Sequence, residues 1–141
     1  GGTTSVNVAT MDYITIDANP TVTAGTFGNL SVARQDLKGV SSDTRGIFGG
    51  GSGGSGNGNY MDYITIAATP PATASDFGDL SVARHAPAGV SSDTRGVIGG
   101  GNSGSVSNVM DYITFATTGG TASDFGDLSV ARNHLAGASR F

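Results

Sequence analysis

The stretch from Ser75 to Arg84, Ser-Asp-Phe-Gly-Asp-Leu-Ser-Val-Ala-Arg, recurs unchanged from Ser123 to Arg132, and a looser version runs from Gly25 to Arg34. Aligned on Phe27, Phe77 and Phe125, the copies stand 50 and 48 residues apart. A chain of 141 residues would otherwise be expected to form one domain around one core. Repetition at this period replaces that expectation with an array of like units, each relying on its neighbours to bury its apolar surface.

Other phrases repeat in the same order. Met11-Asp12-Tyr13-Ile14-Thr15-Ile16 returns as Met61 to Ile66 and as Met110 to Phe115. Its β-branched and aromatic content predicts a strand. Asp and the Ile/Phe positions alternate with Tyr and Thr, so neither face is purely polar and both are expected to be covered. A turn of changing sequence follows, with Asn19-Pro20, Pro70-Pro71 and Gly119-Gly120 in the three copies. In the decapeptide, Phe-Gly predicts a turn or bulge and Leu-Ser-Val-Ala-Arg a second short strand. Gly39 to Gly50, repeated as Gly89 to Gly100, predicts a strand, a Ser-Asp-Thr turn and a further strand that ends in a glycine run.

Each unit thus carries four short strands and no helix. The expected organisation is a single repeat domain over 1–141, with repeat 1 at about 1–49, repeat 2 at about 50–99, and repeat 3 at about 100–141, incomplete and permuted. The expected fold class is all-β, built of propeller blades that close by self-association or with further repeats. A β-trefoil or β-prism of three-fold symmetry is the alternative.

Composition narrows the function classes. The charge is −4, all eleven acids are aspartates, and Lys38 is the lone lysine beside six arginines. This is no basic footprint, so nucleic acid is not an expected partner. Cysteine is absent, which removes disulfides and thiolate metal sites. No window approaches the apolar length of a membrane span, so no membrane insertion is expected.

Gly49-Gly50, Tyr63, Phe77, Leu80 and Arg84, followed by Gly99-Gly100, Tyr112, Phe125, Leu128 and Arg132, resemble the pattern of kelch-type β-propeller repeats. Phenylalanine stands where that family has tryptophan, and Asp-Tyr replaces Tyr-Asp. The phrases Met61 to Ile66, Asp76 to Arg84 and Thr94 to Gly100 also resemble arrays in structural and fibre-like proteins of marine bacteriophages of the cyanophage type. That resemblance implies a non-catalytic module of a virion or tail fibre, located in the extracellular particle, with a secreted or cell-surface location as alternative. It implies as partners further copies of the chain, other virion proteins or a host-surface glycan; the alternative function is a three-fold carbohydrate-binding lectin.

No catalytic, cofactor or metal site is expected, and no ligand-binding residue is assigned. Asp76-Phe77-Gly78 and Asp124-Phe125-Gly126 match a kinase tripeptide but lack the accompanying nucleotide loop and lysine. Asp76 with Asp79, and Asp124 with Asp127, fall short of the roughly six to eight oxygens that calcium takes, so turn capping is the expected role. His85 and His134 occupy different positions of the repeat and are expected at the surface. The glycine run at Gly49 to Gly54 lacks the Lys-Ser/Thr pair of a phosphate loop and predicts a flexible connection. Arg34, Arg84 and Arg132 are expected to pair with Asp12, Asp62 and Asp111 of their own repeats. Tyr13, Tyr63 and Tyr112 are expected between units rather than on sugars. Recognition is expected from the loops at 17–25, 67–74, 116–122, 51–59 and 101–108, where the copies differ.

Overall fold

The computed structural model describes residues 1–16 and 23–139, and the described residues are all-β, without helix. The strands in chain order are β1 (Gly2–Thr3), β2 (Asn7–Val8), β3 (Thr10–Tyr13), β4 (Gly25–Asn29), β5 (Lys38–Ser41), β6 (Arg45–Gly49) and β7 (Ser52–Gly53). They continue as β8 (Gly56–Asn57), β9 (Tyr60–Thr65), β10 (Ser75–Asp79), β11 (Ala88–Ser91), β12 (Arg95–Gly99), β13 (Val109–Thr114) and β14 (Ser123–Asp127).

Two antiparallel four-stranded meanders form the body, β5-β6-β9-β10 and β11-β12-β13-β14. The pair β3-β4 is a third, two-stranded sheet ahead of them. Small hairpins, β1-β2 and β7-β8, precede β3 and β9, and an Asn102–Val106 bridge holds the same place before β13. The turn that joins β5 to β6 is tied by Ser42, whose Oγ accepts from the Thr44 and Arg45 amides, as a serine side chain can when it mimics a backbone turn.

Alternation along β9 sends neighbouring side chains to opposite sheets. Met61 and Tyr63 pack with Ile47, Phe77 and Leu80 against Ile98, Ile113 and Phe115 of the following sheet. Ile64 and Phe48, on the other face, pack against Met11, Phe27 and Leu30 of the preceding one. The apolar cores therefore lie between sheets, and each fully buried Ile, Leu or Phe contributes about 1.5–3 kcal/mol by leaving water. The central sheet is covered on both sides, as the mixed alternation of the Met-Asp-Tyr-Ile-Thr phrase predicts.

In all three copies the Phe-Gly pair is a β-bulge. The register passes from Asp76 opposite Asp62 to Gly78 opposite Met61, which leaves Phe77 as the extra residue. Phe27 and Phe125 are skipped in the same way. The predicted strand over Leu-Ser-Val-Ala-Arg is corrected: β10 ends at Asp79, and the chain leaves the sheet because the Ser81 amide donates to the Asp111 carboxylate instead of a strand neighbour.

The glycine run is also corrected, since Gly49 to Gly51 are buried and closely packed, and only Gly54 at its end is exposed. Gly51 has φ of 104°, and a side chain there would meet the Gln35 carbonyl oxygen at 2.7 Å. Its amide donates to the Arg84 carbonyl at 2.9 Å, so glycine is required where two chain segments close on it.

Candidate functional site: an arginine clasp between repeats and its loops

After each bulge strand the decapeptide crosses to the next sheet. Ser81 N–H and Oγ–H donate to the two carboxylate oxygens of Asp111 at 2.9 and 2.6 Å. Arg84 then folds back, and its Nη2 donates to Asp111 Oδ2 at 2.8 Å and to the Ile98 carbonyl at 3.0 Å. Its Nη1 donates to the Val109 carbonyl at 3.3 Å. The same clasp stands one repeat earlier. Ser31 and Arg34 hold Asp62, and Arg34 also reaches the carbonyls of Phe48 and Gly50.

The expected pairing within each repeat is thereby overturned. Arg34 pairs with Asp62 and Arg84 with Asp111, each one repeat further along. The physical reason is the chain's exit direction: the segment that carries the arginine lies over the next sheet, where strand carbonyls and the Asp converge. All four side chains are almost wholly shielded from water. Burial lowers the Arg84 pKa from its ordinary value, and the Asp111 charge opposes that shift. A guanidinium so placed needs its carboxylate, because an uncompensated buried charge is strongly unfavourable.

Other polar groups of the repeat also join neighbours. Asn7 Nδ2 donates to the Ser52 carbonyl, and Asn57 Nδ2 to that of Asn102. His85 Nδ1 lies 2.8 Å from Asn57 Oδ1, and the His85 backbone bridges Asn102, so this histidine is half-buried at a joint rather than free on the surface. His134 is exposed. Asp36, Ala86 and His134 share a left-handed backbone with φ between 51° and 54°. They form a ladder in which the Ala86 amide donates to Asp36 and the His134 amide to Ala86. Arg45 and Arg95 lie over the Tyr63 and Tyr112 rings, 5.0 and 5.1 Å from the centroids. These asparagines and arginines recur at fixed offsets in the repeat, which is the signal by which they could have been found.

Asp76 and Asp124 accept from the amides of Gly78 and Gly126 and so cap the bulge, whereas the Asp79 and Asp127 carboxylates make no such bond among the described residues. Among the described residues no three acids or histidines converge as a metal site would require. Tyr63 and Tyr112 are half-buried between sheets or against them, whereas Tyr13 is 45% exposed.

The loops divide into two kinds. The 67–74 and 116–122 connections run along the bulge strand of the preceding repeat. The Ala72 and Ala74 amides donate to Phe27 and Asn29, and the Gly119 and Ala122 amides to Phe77 and Asp79. Their backbones are seams between repeats. Of the corresponding first loop, 17–25, residues 17–22 lie outside the described residues. The hairpin tips at Thr3–Val6, Gly54–Gly56 and Ser103–Val106 are exposed instead. The second tip borders a cavity of about 110 Å³ against Val32, Arg34 and the 44% exposed Tyr60. No family model matches the chain, and no curated protein matches it.

Proposed function

We propose that this chain is a non-catalytic structural and adhesive module of kelch-like β-propeller build, belonging to a phage virion or tail fibre. The carrying observation is that the repeated ionisable groups that are buried, Arg34 with Asp62 and Arg84 with Asp111, join one repeat to the next. A reaction centre would need such groups facing substrate. The virion setting rests on the resemblance of the repeat phrases to phage arrays. The antiparallel meanders stacked face to face support the blade reading, with shared cores where blades would meet.

The binding surface in this proposal is the row of hairpin tips, cross-linked through Asn7 and Asn57 and rich in small hydroxyl and glycine residues. A host-surface glycan suits it: the exposed Tyr60 ring offers a stacking plane beside backbone polar groups. Binding of the purified chain to a glycan array, lost in Tyr60→Ala, is the expected result. Reproducible turnover of a substrate would count against the proposal.

A further inference from the structure

The two inner joints share one design, and the outer faces of the array carry its two unmatched halves. At the leading face, Asp12 is exposed, whereas Asp62 and Asp111 are each 1% exposed beneath their arginines. Ile14 and Ile16 on that face are 61% and 90% exposed, against a half-buried Ile64 and 48% for Ile66 in the second repeat and 6% and 4% for Ile113 and Phe115 in the third. At the trailing face, Phe125 is 52% exposed, against 6% for Phe27 and 4% for Phe77. Gly126 has open space where Gly28 and Gly78 are covered by the seam loop of the next repeat. Arg132 is exposed, whereas Arg34 and Arg84 are buried, and among the described residues the Arg132 Nε reaches only the nearby Val130 carbonyl.

Among the described residues, Asp12 and Arg132 form no ion pair. One face thus lacks the clasp and the other lacks what it grips. Among the described residues, hydrogen bonds between sheets join only adjacent ones, as when Arg45 of the second sheet donates to the Phe115 carbonyl after the third, and none links the β3-β4 sheet to the β11-β12-β13-β14 sheet, so the array is open rather than closed three-fold on itself.

We infer that a second molecule of this chain docks head to tail on the trailing face, with its Asp12 gripped by Ser129 and Arg132 of the first. The occupant follows from complementarity: charge and apolar side chains match a joint that the chain already makes twice. Such an interface is heterologous, so it closes into a ring where the rotation permits and otherwise propagates. The inference deepens the structural half of the proposal above and rests on that half alone. The glycan test can fail while association persists, and the reverse also holds.

The test is solution mass by light scattering at the highest soluble concentration. The unaltered chain is expected as a dimer or larger assembly, and a monomer would overturn the inference. Asp12→Arg and Arg132→Asp are each expected to weaken association about 100-fold or more by placing like charges together. Mixing the two variants is expected to restore a complex, because every joint in the mixture can then pair opposite charges. Either variant assembling like the unaltered chain would also overturn it. Both residues are exposed in one molecule, so circular dichroism should show the native spectrum.

Discussion

Arg84 and Asp111 belong to successive repeats, yet they form a 2.8 Å ion pair with side chains only 0% and 1% exposed. The clasp turns a repeated sequence into a continuous body. Asp111 also accepts two hydrogen bonds from Ser81, so its carboxylate is held by three donors from the preceding repeat.

Removing one partner should therefore be severe. Arg84→Ala is expected to lower the unfolding free energy by about 3–5 kcal/mol, because Asp111 would be left buried without its counter-charge. Arg84→Lys should rescue this only in part, since an ammonium lacks the fork that reaches Asp111 and two carbonyls together. Urea denaturation reads both effects, with Asp93→Ala in the exposed turn as a control expected within about 0.5 kcal/mol of the parent.

The serine contributes separately. Ser81→Ala keeps the backbone donor but deletes the 2.6 Å hydroxyl bond to Asp111, for an expected loss of about 1.5–3 kcal/mol. The same denaturation series measures it.

How much of this was legible can be judged from particular residues. The strand over Met61 to Thr65, the Phe77-Gly78 bulge and the Ser-Asp-Thr turn follow from local chemistry, and all appear, with the strand ending one residue before the expected Ile66. The arginine's partner was not legible, because Asp12, Asp62 and Asp111 sit in nearly identical local sequence. A repeat cannot reveal by itself whether a contact falls within one copy or on the next. Leu80-Ser81-Val82-Ala83-Arg84 has the composition of a strand, yet a side-chain acceptor on another sheet takes the Ser81 amide. Likewise, glycine at Gly51 records a backbone approach that only the assembled repeats display.

The bulge glycines separate strain from steric overlap. Gly78 and Gly126 have similar φ values, 132° and 125°, so alanine strains the backbone at both. At Gly78 it would also overlap the Gly120 carbonyl, whereas Gly126 has nothing within 4 Å. Gly78→Ala is expected to destabilise the single molecule by about 1–3 kcal/mol more than Gly126→Ala, measured by denaturation at low protein concentration.

Position relative to a neighbour should likewise decide the value of an apolar side chain. Ile98, 1% exposed between two sheets, should lose about 2–5 kcal/mol on replacement by alanine. Ile16, 90% exposed, should change by less than about 0.5 kcal/mol under the same dilute conditions. Thermal denaturation of the two variants provides the comparison.

The most direct measurement is a pair of double-mutant cycles on one chain, coupling Arg84 first with Asp111 and then with Asp62. Stacking through the clasp predicts a coupling of about 1–3 kcal/mol for Arg84 with Asp111, and none beyond about 0.5 kcal/mol for Arg84 with Asp62. The opposite pattern, with the strong coupling inside one repeat, would contradict the account.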